Sequence, residues 1–136
     1  MNEVYADTSY WIALLSPRDD LHSKATALAR KFSAQMLVTS EMVLAELLNN
    51  FSDRPPIARM AAVTAVETVR RNHYVTVVPQ TTEQFAKALE RYKQSADKNW
   101  SLTDCASFHI METERISAAL THDHHFVQAG FEALLR

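Results

Sequence analysis

Glycine is nearly absent from this 136-residue chain: Gly130 is the only one. That excludes a glycine-rich phosphate loop and a G-x-G-x-x-G dinucleotide turn, which need several positions without a Cβ. It also argues against an all-β fold of tight hairpins, whose primed turns favour glycine. Cysteine is as scarce, with Cys105 alone, so neither an internal disulfide nor a cysteine-rich zinc module is available. No run approaches the roughly 18–20 apolar residues that span a bilayer. Met1-Asn2-Glu3-Val4 lacks the basic start and apolar run of a signal peptide. A reducing, cytoplasmic setting without a membrane segment is therefore expected. Excess basic charge is missing too, since 14 basic and 16 acidic residues give a formal charge of −2. That disfavours a nonspecific nucleic-acid binder driven by bulk charge, but leaves room for a local basic patch.

What is present is a globular composition, 47% hydrophobic and 22% charged, rather than a disordered one. The length suits one domain over residues 1–136, with roughly 70% of the accessible surface buried on folding. Short β-like runs alternate with helix-like stretches. Strands are expected over 4–6, 36–39, 73–78, 116–121 and 131–135. Leu21, Ala25, Leu28, Ala29 and Phe32 recur at helical spacing. Ser40 is placed to cap a helix through Leu48, and Pro55-Pro56 ends it and opens the next. Further helices are expected over 82–94 and 101–114, the second opened by Ser101-Leu102-Thr103-Asp104, which has capping-box form. The order is β-α-α-β-α-α-β-α-α-β-α-β. Strands separated by helices need crossovers, which predicts an α/β fold with three α/β/α layers and a central, mainly parallel sheet of four or five strands. Sites in such sheets lie beyond the carboxyl ends of the strands.

Four acids fall near that edge. Asp7 directly follows the first strand, and Asp123 follows the fourth after Thr121 and His122. Glu46 lies in the second turn of the helix after strand two, and Asp104 in the first turn of the helix near Ser101. Each also has a structural reading. Asp7 can cap a helix through Thr8 and Ser9, and Glu46 can lie on a solvated stripe with Asn49 and Asn50. Asp104 can be a capping-box acid favoured by the helix dipole, and Asp123 a turn residue. Spacing alone does not choose between these.

Four pieces occur in order: Val4-Tyr5-Ala6-Asp7-Thr8-Ser9, Val43-Leu44-Ala45-Glu46-Leu47-Leu48, Ser101-Leu102-Thr103-Asp104-Cys105, and Ala119-Leu120-Thr121-His122-Asp123-His124-His125-Phe126. Over essentially its whole length the chain thereby resembles the PIN-domain nucleases, close to the VapC-type toxins and related stand-alone PIN proteins. The resemblance implies that Asp7, Glu46, Asp104 and Asp123 form an acidic cluster that binds divalent metal. It implies cleavage of single-stranded or looped RNA to 5′-phosphate and 3′-hydroxyl ends. For toxin members it implies inhibition by a small antitoxin encoded alongside, and relatives commonly form dimers. His124 stands where many relatives carry a basic residue, often Arg.

The chemistry is coherent. Crowded carboxylates repel, so without a cation at least one should take up a proton. Mg²⁺ or Mn²⁺, hard ions that prefer oxygen, reverses that logic. Such an ion lowers the pKa of water and offsets charge on phosphate, so no side-chain nucleophile is needed. On this reading Asp7, Asp104 and Asp123 are the closest ligands, and Glu46 binds through water or orients the attacking water. Ser9 and Thr103 support the cluster by hydrogen bonds. Asp97 either adds charge at the rim or is a solvated loop acid.

Other residues read less sharply. His122-Asp123-His124-His125 suggests zinc, but adjacent side chains rarely point at one ion. His125-Phe126 is expected to pack behind the loop, as in the family. Cys105 reads as a buried thiol, and Trp100 as either a base-stacking surface or a cover for the core. Arg54, Arg59, Arg70 and Arg71, and separately Lys87, Arg91, Lys93 and Lys98, can follow an RNA backbone or be ordinary solvated faces. Arg54, Arg59, Lys98 and His124 are the candidate RNA contacts. Val63, Ala65 and Val66 are a candidate partner or oligomer surface.

The expected function is an Mg²⁺- or Mn²⁺-dependent endoribonuclease, the toxin of a toxin–antitoxin pair. The alternatives are a housekeeping RNA-processing nuclease of the same fold and a nucleic-acid-binding module that does not cut. A receiver or phosphatase domain is disfavoured, because Asp7 has no second acid two residues on and no lysine follows a late strand.

Overall fold

The computed structural model describes residues 3–136; Met1 and Asn2, part of the stretch read for a signal peptide, lie outside the described residues. Five strands, β1 (Val4–Ala6), β2 (Leu37–Ser40), β3 (Val75–Val78), β4 (Ala118–Leu120) and β5 (Glu132–Ala133), form one sheet. Seven helices flank it: α1 (Thr8–Leu15), α2 (His22–Lys31), α3 (Glu41–Asn50), α4 (Pro56–Arg71), α5 (Thr82–Gln94), α6 (Leu102–Glu114) and α7 (His124–Gln128). The element order and the α/β/α arrangement are those expected from the sequence. The third, fourth and fifth strands, at Val75–Val78, Ala118–Leu120 and Glu132–Ala133, are shorter than expected.

Every strand pair is parallel, in the order β3-β2-β1-β4-β5. The chain builds outward from β1 through β2 to β3, then returns to the other side of β1 for β4 and β5. The order therefore reverses between β1 and β4, which opens a crevice at their carboxyl ends. Central β1 is buried throughout, as a parallel strand covered on both faces should be.

Local chemistry starts the helices where the sequence suggests. Ser40 Oγ accepts from Val43 N at 3.1 Å, and Thr81 Oγ1 accepts from Gln84 N at 3.0 Å. Pro56 opens α4 at a position where a missing N–H costs nothing. Ser101 and Asp104 complete a reciprocal capping box on α6. The one glycine follows α7 at φ +98°, a backbone conformation strained for any L side chain.

Fully buried Phe108 of α6 meets Trp100, Phe126 and Phe131 at ring-centroid distances of 5.0, 4.9 and 5.8 Å. Its burial contributes about 2–3 kcal/mol and holds the α7 segment against α6. Beneath the crevice, the Tyr5 hydroxyl bonds to Ser107 at 2.8 Å and Ser40 at 3.3 Å. This buried link fixes α6 and the start of α3 to β1. Burial pushes the Tyr5 phenol well above its usual range.

Candidate active site

Asp7 leaves β1 in an extended conformation at the N-cap position of α1, but its side chain makes no cap bond. It turns instead into the crevice. There its Oδ2 accepts from Thr121 Oγ1 at 2.8 Å and from Ser9 Oγ at 3.3 Å. The residue is only 5% exposed. Burial, aided by the charges of Asp104 and Glu46, pushes its carboxyl up to about 7 despite the Thr121 hydrogen bond.

Asp104 comes from the first turn of α6. Its Oδ2 accepts from Ser101 N at 3.1 Å and lies 2.9 Å from His125 Nδ1. Burial raises this carboxyl, while the Ser101 and His125 contacts oppose the rise. Asp123 is the N-cap of α7, its Oδ1 accepting from His125 N at 2.9 Å. That oxygen also stands 3.3 Å from His125 Nδ1 and 3.7 Å from His124 Nδ1. Glu46 faces the same space from α3. Asp7, Glu46, Asp104 and Asp123 line one cleft of about 330 Å³. The cap and the cluster are thus not alternatives for Asp104 or Asp123: each carboxylate does both.

Behind the cleft, Asp7 has a partner to which the sequence reading gave no role. Thr121 is fully buried and serves Asp7. Register supplied the missing signal: Ala6 pairs with Leu120 in the parallel β1–β4 ladder, so the next residues, Asp7 and Thr121, are neighbours. Thr103, expected to support the acids, does not line the cleft. One residue before Asp104 on a helix, it faces about 100° away. His125 also differs from expectation. Phe126 packs inward, fully buried, but His125 lines the cleft, because successive residues of α7 face different directions. The zinc argument from adjacency does not hold geometrically either. Asp123, His124 and His125 offer ligand atoms all within 4.8 Å of one another.

The candidate RNA contacts do not line this cleft. Arg54 stacks over Phe51 at 4.6 Å and reaches Asn50 at 3.4 Å, while Arg59 donates to the Ser52 carbonyl. Lys98 Nζ lies 2.8 Å from Asp97 Oδ2, which holds the Asp97 carboxyl below its usual range. None of the three lines the acid cleft, and neither does His124, which stays largely exposed. Cys105 is a free, buried thiol whose pKa is raised by burial. On α4, Val66 packs against the core, and the strongly exposed apolar residues are Ile57 and Met60.

The donor set fits a hard divalent cation. Four carboxylates open onto one cleft whose lining has no lysine or arginine. The buried Thr8 hydroxyl on its wall has no partner among the described residues, so an oxygen ligand entering the cleft would satisfy it.

A parallel α/β sheet with a carboxylate cleft at its switch point defines the class: an α/β protein with an acidic site at the carboxyl ends of its strands. Within that class, the chain belongs to the PIN-domain family, whose model matches residues 4–132. The 23S rRNA-specific endonuclease VapC20 of Mycobacterium tuberculosis is 30% identical over 131 residues, 94% of this chain and 95% of that protein. The crystal structure of that VapC20, a sarcin–ricin loop cleaving toxin, matches with a TM-score of 0.82 and 28% identity, over 94% of this chain and 95% of that one. FitAcB from Neisseria gonorrhoeae matches at a TM-score of 0.65 and 14% identity, over 96% and 94% of the two chains; that likeness concerns the fold.

Proposed function

We propose that this chain is an Mg²⁺- or Mn²⁺-dependent endoribonuclease that cuts looped ribosomal RNA and acts as the toxin of a toxin–antitoxin pair. The observation that carries the reading is the meeting of Asp7, Asp104, Asp123 and Glu46 in one cleft without a fixed cation. The likeness to a 23S rRNA endonuclease over nearly the whole chain supports the choice of substrate.

Asp7, Asp104 and Asp123 would hold the ion, and Glu46, on the same cleft, would bind it through water or orient the attacking water. A bound divalent ion supplies an activated water and offsets charge on the phosphate. The protein's part is preorganisation. Thr121 and Ser9 fix the rotamer of Asp7, and the Ser101 N–H and His125 hold Asp104. The Thr8 hydroxyl is free to donate to a phosphate oxygen. On the same reading a small antitoxin is the partner, a homodimer the assembly and the cytoplasm the location.

The test incubates purified protein with a sarcin–ricin loop hairpin and with total RNA, in Mn²⁺, in Mg²⁺ and in chelator, followed by end mapping. A defined cut with 5′-phosphate and 3′-hydroxyl ends is expected in metal only. Asp7→Asn should lower the rate by at least about a thousandfold, equivalent to about 4 kcal/mol. RNA binding without any cut would favour a non-cleaving module, and full activity in chelator would end the metal mechanism.

A further inference from the structure

The acid cleft leaves a problem: its lining contains no lysine or arginine, yet an RNA substrate carries a negative charge at every phosphate. A neighbouring hollow of about 570 Å³ has the opposite character. It is lined by Lys93 and Lys98, by the rings of Tyr92 and Trp100, and by no carboxylate. Asn99 and Ser101 line both spaces, so the two adjoin. We propose that this hollow is a nucleotide subsite, in which a base flanking the cut bond stacks on Tyr92 or Trp100 and its phosphate meets Lys93 and Lys98. The proposal rests on the nuclease reading and adds to it where the substrate is gripped.

Aromatic faces beside cations are how proteins hold single-stranded nucleic acid, because every base has a π-face and every nucleotide a phosphate. Here the platform is set before any ligand arrives. The Trp100 indole N–H donates to Gln128 Oε1 at 3.0 Å, and its ring packs edge-on against Phe108. Little side-chain entropy remains to be lost on stacking. Tyr92 is half exposed. The Lys98 pairing with Asp97 lies at the surface, since the Asp97 side chain is 74% exposed. Such a pair is weak enough for a phosphate to displace. The Lys98 backbone N–H donates to the Ser95 carbonyl at 2.9 Å, a turn whose two ends both line the hollow.

The experiment uses the full chain in chelator, so that binding is read without cleavage. The probes are a labelled sarcin–ricin loop hairpin and a short oligouridine strand, titrated by anisotropy at several salt concentrations. Tyr92→Ala and the double variant Lys93→Ala/Lys98→Ala replace exposed side chains, and matching melting curves establish that both fold. Each should raise Kd about tenfold. Only the lysine variant should flatten the salt dependence, by about 0.7 in log Kd against log salt for each phosphate that is no longer neutralised. In Mn²⁺ the effect should appear in KM far more than in kcat. Trp100→Phe, which keeps a ring, should bind more tightly than Trp100→Leu. Asp7→Asn should still bind RNA while failing to cut it. Unchanged Kd and salt slope in folded variants, beside intact wild-type cleavage, would remove the subsite and leave the nuclease reading standing. A wild-type protein that neither binds nor cuts RNA would remove both.

Discussion

Asp7 and Asp104 open onto the same cleft but are held by opposite means. Asp104 sits at a helix start, where backbone N–H groups lack partners, and its carboxylate answers one of them through the capping box. His125 Nδ1 meets the same carboxylate oxygen. Asp123 is in the same position at the start of α7. Asp7, at the end of a buried strand, receives only two hydroxyls and lies deeper. The helix-start acids thus cap the fold with or without a cation, although burial also raises the Asp104 carboxyl. The strand acid is a liability until a cation or a proton arrives. The fold draws on the helix-start acids and gains nothing from the charge of Asp7.

The largest effect that this contrast predicts is the pH dependence carried by Asp7, to which the raised Asp104 carboxyl adds in the same direction. The Asp7 carboxyl titrates at about 7 in the folded protein against an ordinary value of 3.8, so the folded state binds the proton more tightly. The stability this confers is whole below the ordinary value and is lost as pH rises through the folded one. At about 1.4 kcal/mol per pH unit the loss amounts to a few kcal/mol at most. Urea unfolding of metal-free wild type and Asp7→Asn, from about pH 4 to about pH 8, should show the variant gaining on wild type as pH rises. Saturating Mn²⁺ should restore the wild type. A constant difference between the two proteins across that range would break the contrast.

A smaller effect separates the hydroxyls. Thr121→Val removes the shorter bond to Asp7 with little change of shape, and should weaken Mn²⁺ binding about tenfold by calorimetry. Thr103→Val should leave the affinity unchanged. Equal losses in the two variants would show that the cleft does not depend on Thr121.

That pair also marks how far the sequence could be read. The order of elements, the Ser40 cap and the Ser101–Asp104 capping box were legible because they are local: each depends on residues within a turn or two of one another. The placement of Asp7 and Asp123 at strand ends followed from the same local pattern. The identity of the hydroxyl on Asp7 did not. It depends on β4 pairing with β1 in a register that joins Ala6 to Leu120, and nothing in either segment alone encodes that choice. The direction of His125 was hidden for a similar reason. It follows from Phe126 turning inward to Phe108, a contact between distant segments that sends the preceding ring outward to Asp104.

The finest test splits the two duties of Asp123. Its Oδ1 caps α7, a helix of five residues, and on the proposed mechanism the same carboxylate helps to hold the ion. Serine is as good an N-cap as aspartate but carries no charge, whereas alanine is neither. Asp123→Ser should therefore remain within about 0.5 kcal/mol of wild-type stability in metal-free buffer. Asp123→Ala should lose about 1 kcal/mol, a fall in melting temperature of about 3–5 °C for a chain of this size. Both should lose metal-supported cleavage to a similar extent, because neither supplies a carboxylate oxygen. If serine rescued cleavage as well as stability, the charge of Asp123 would be dispensable, and its place in the cleft would follow from the helix it starts.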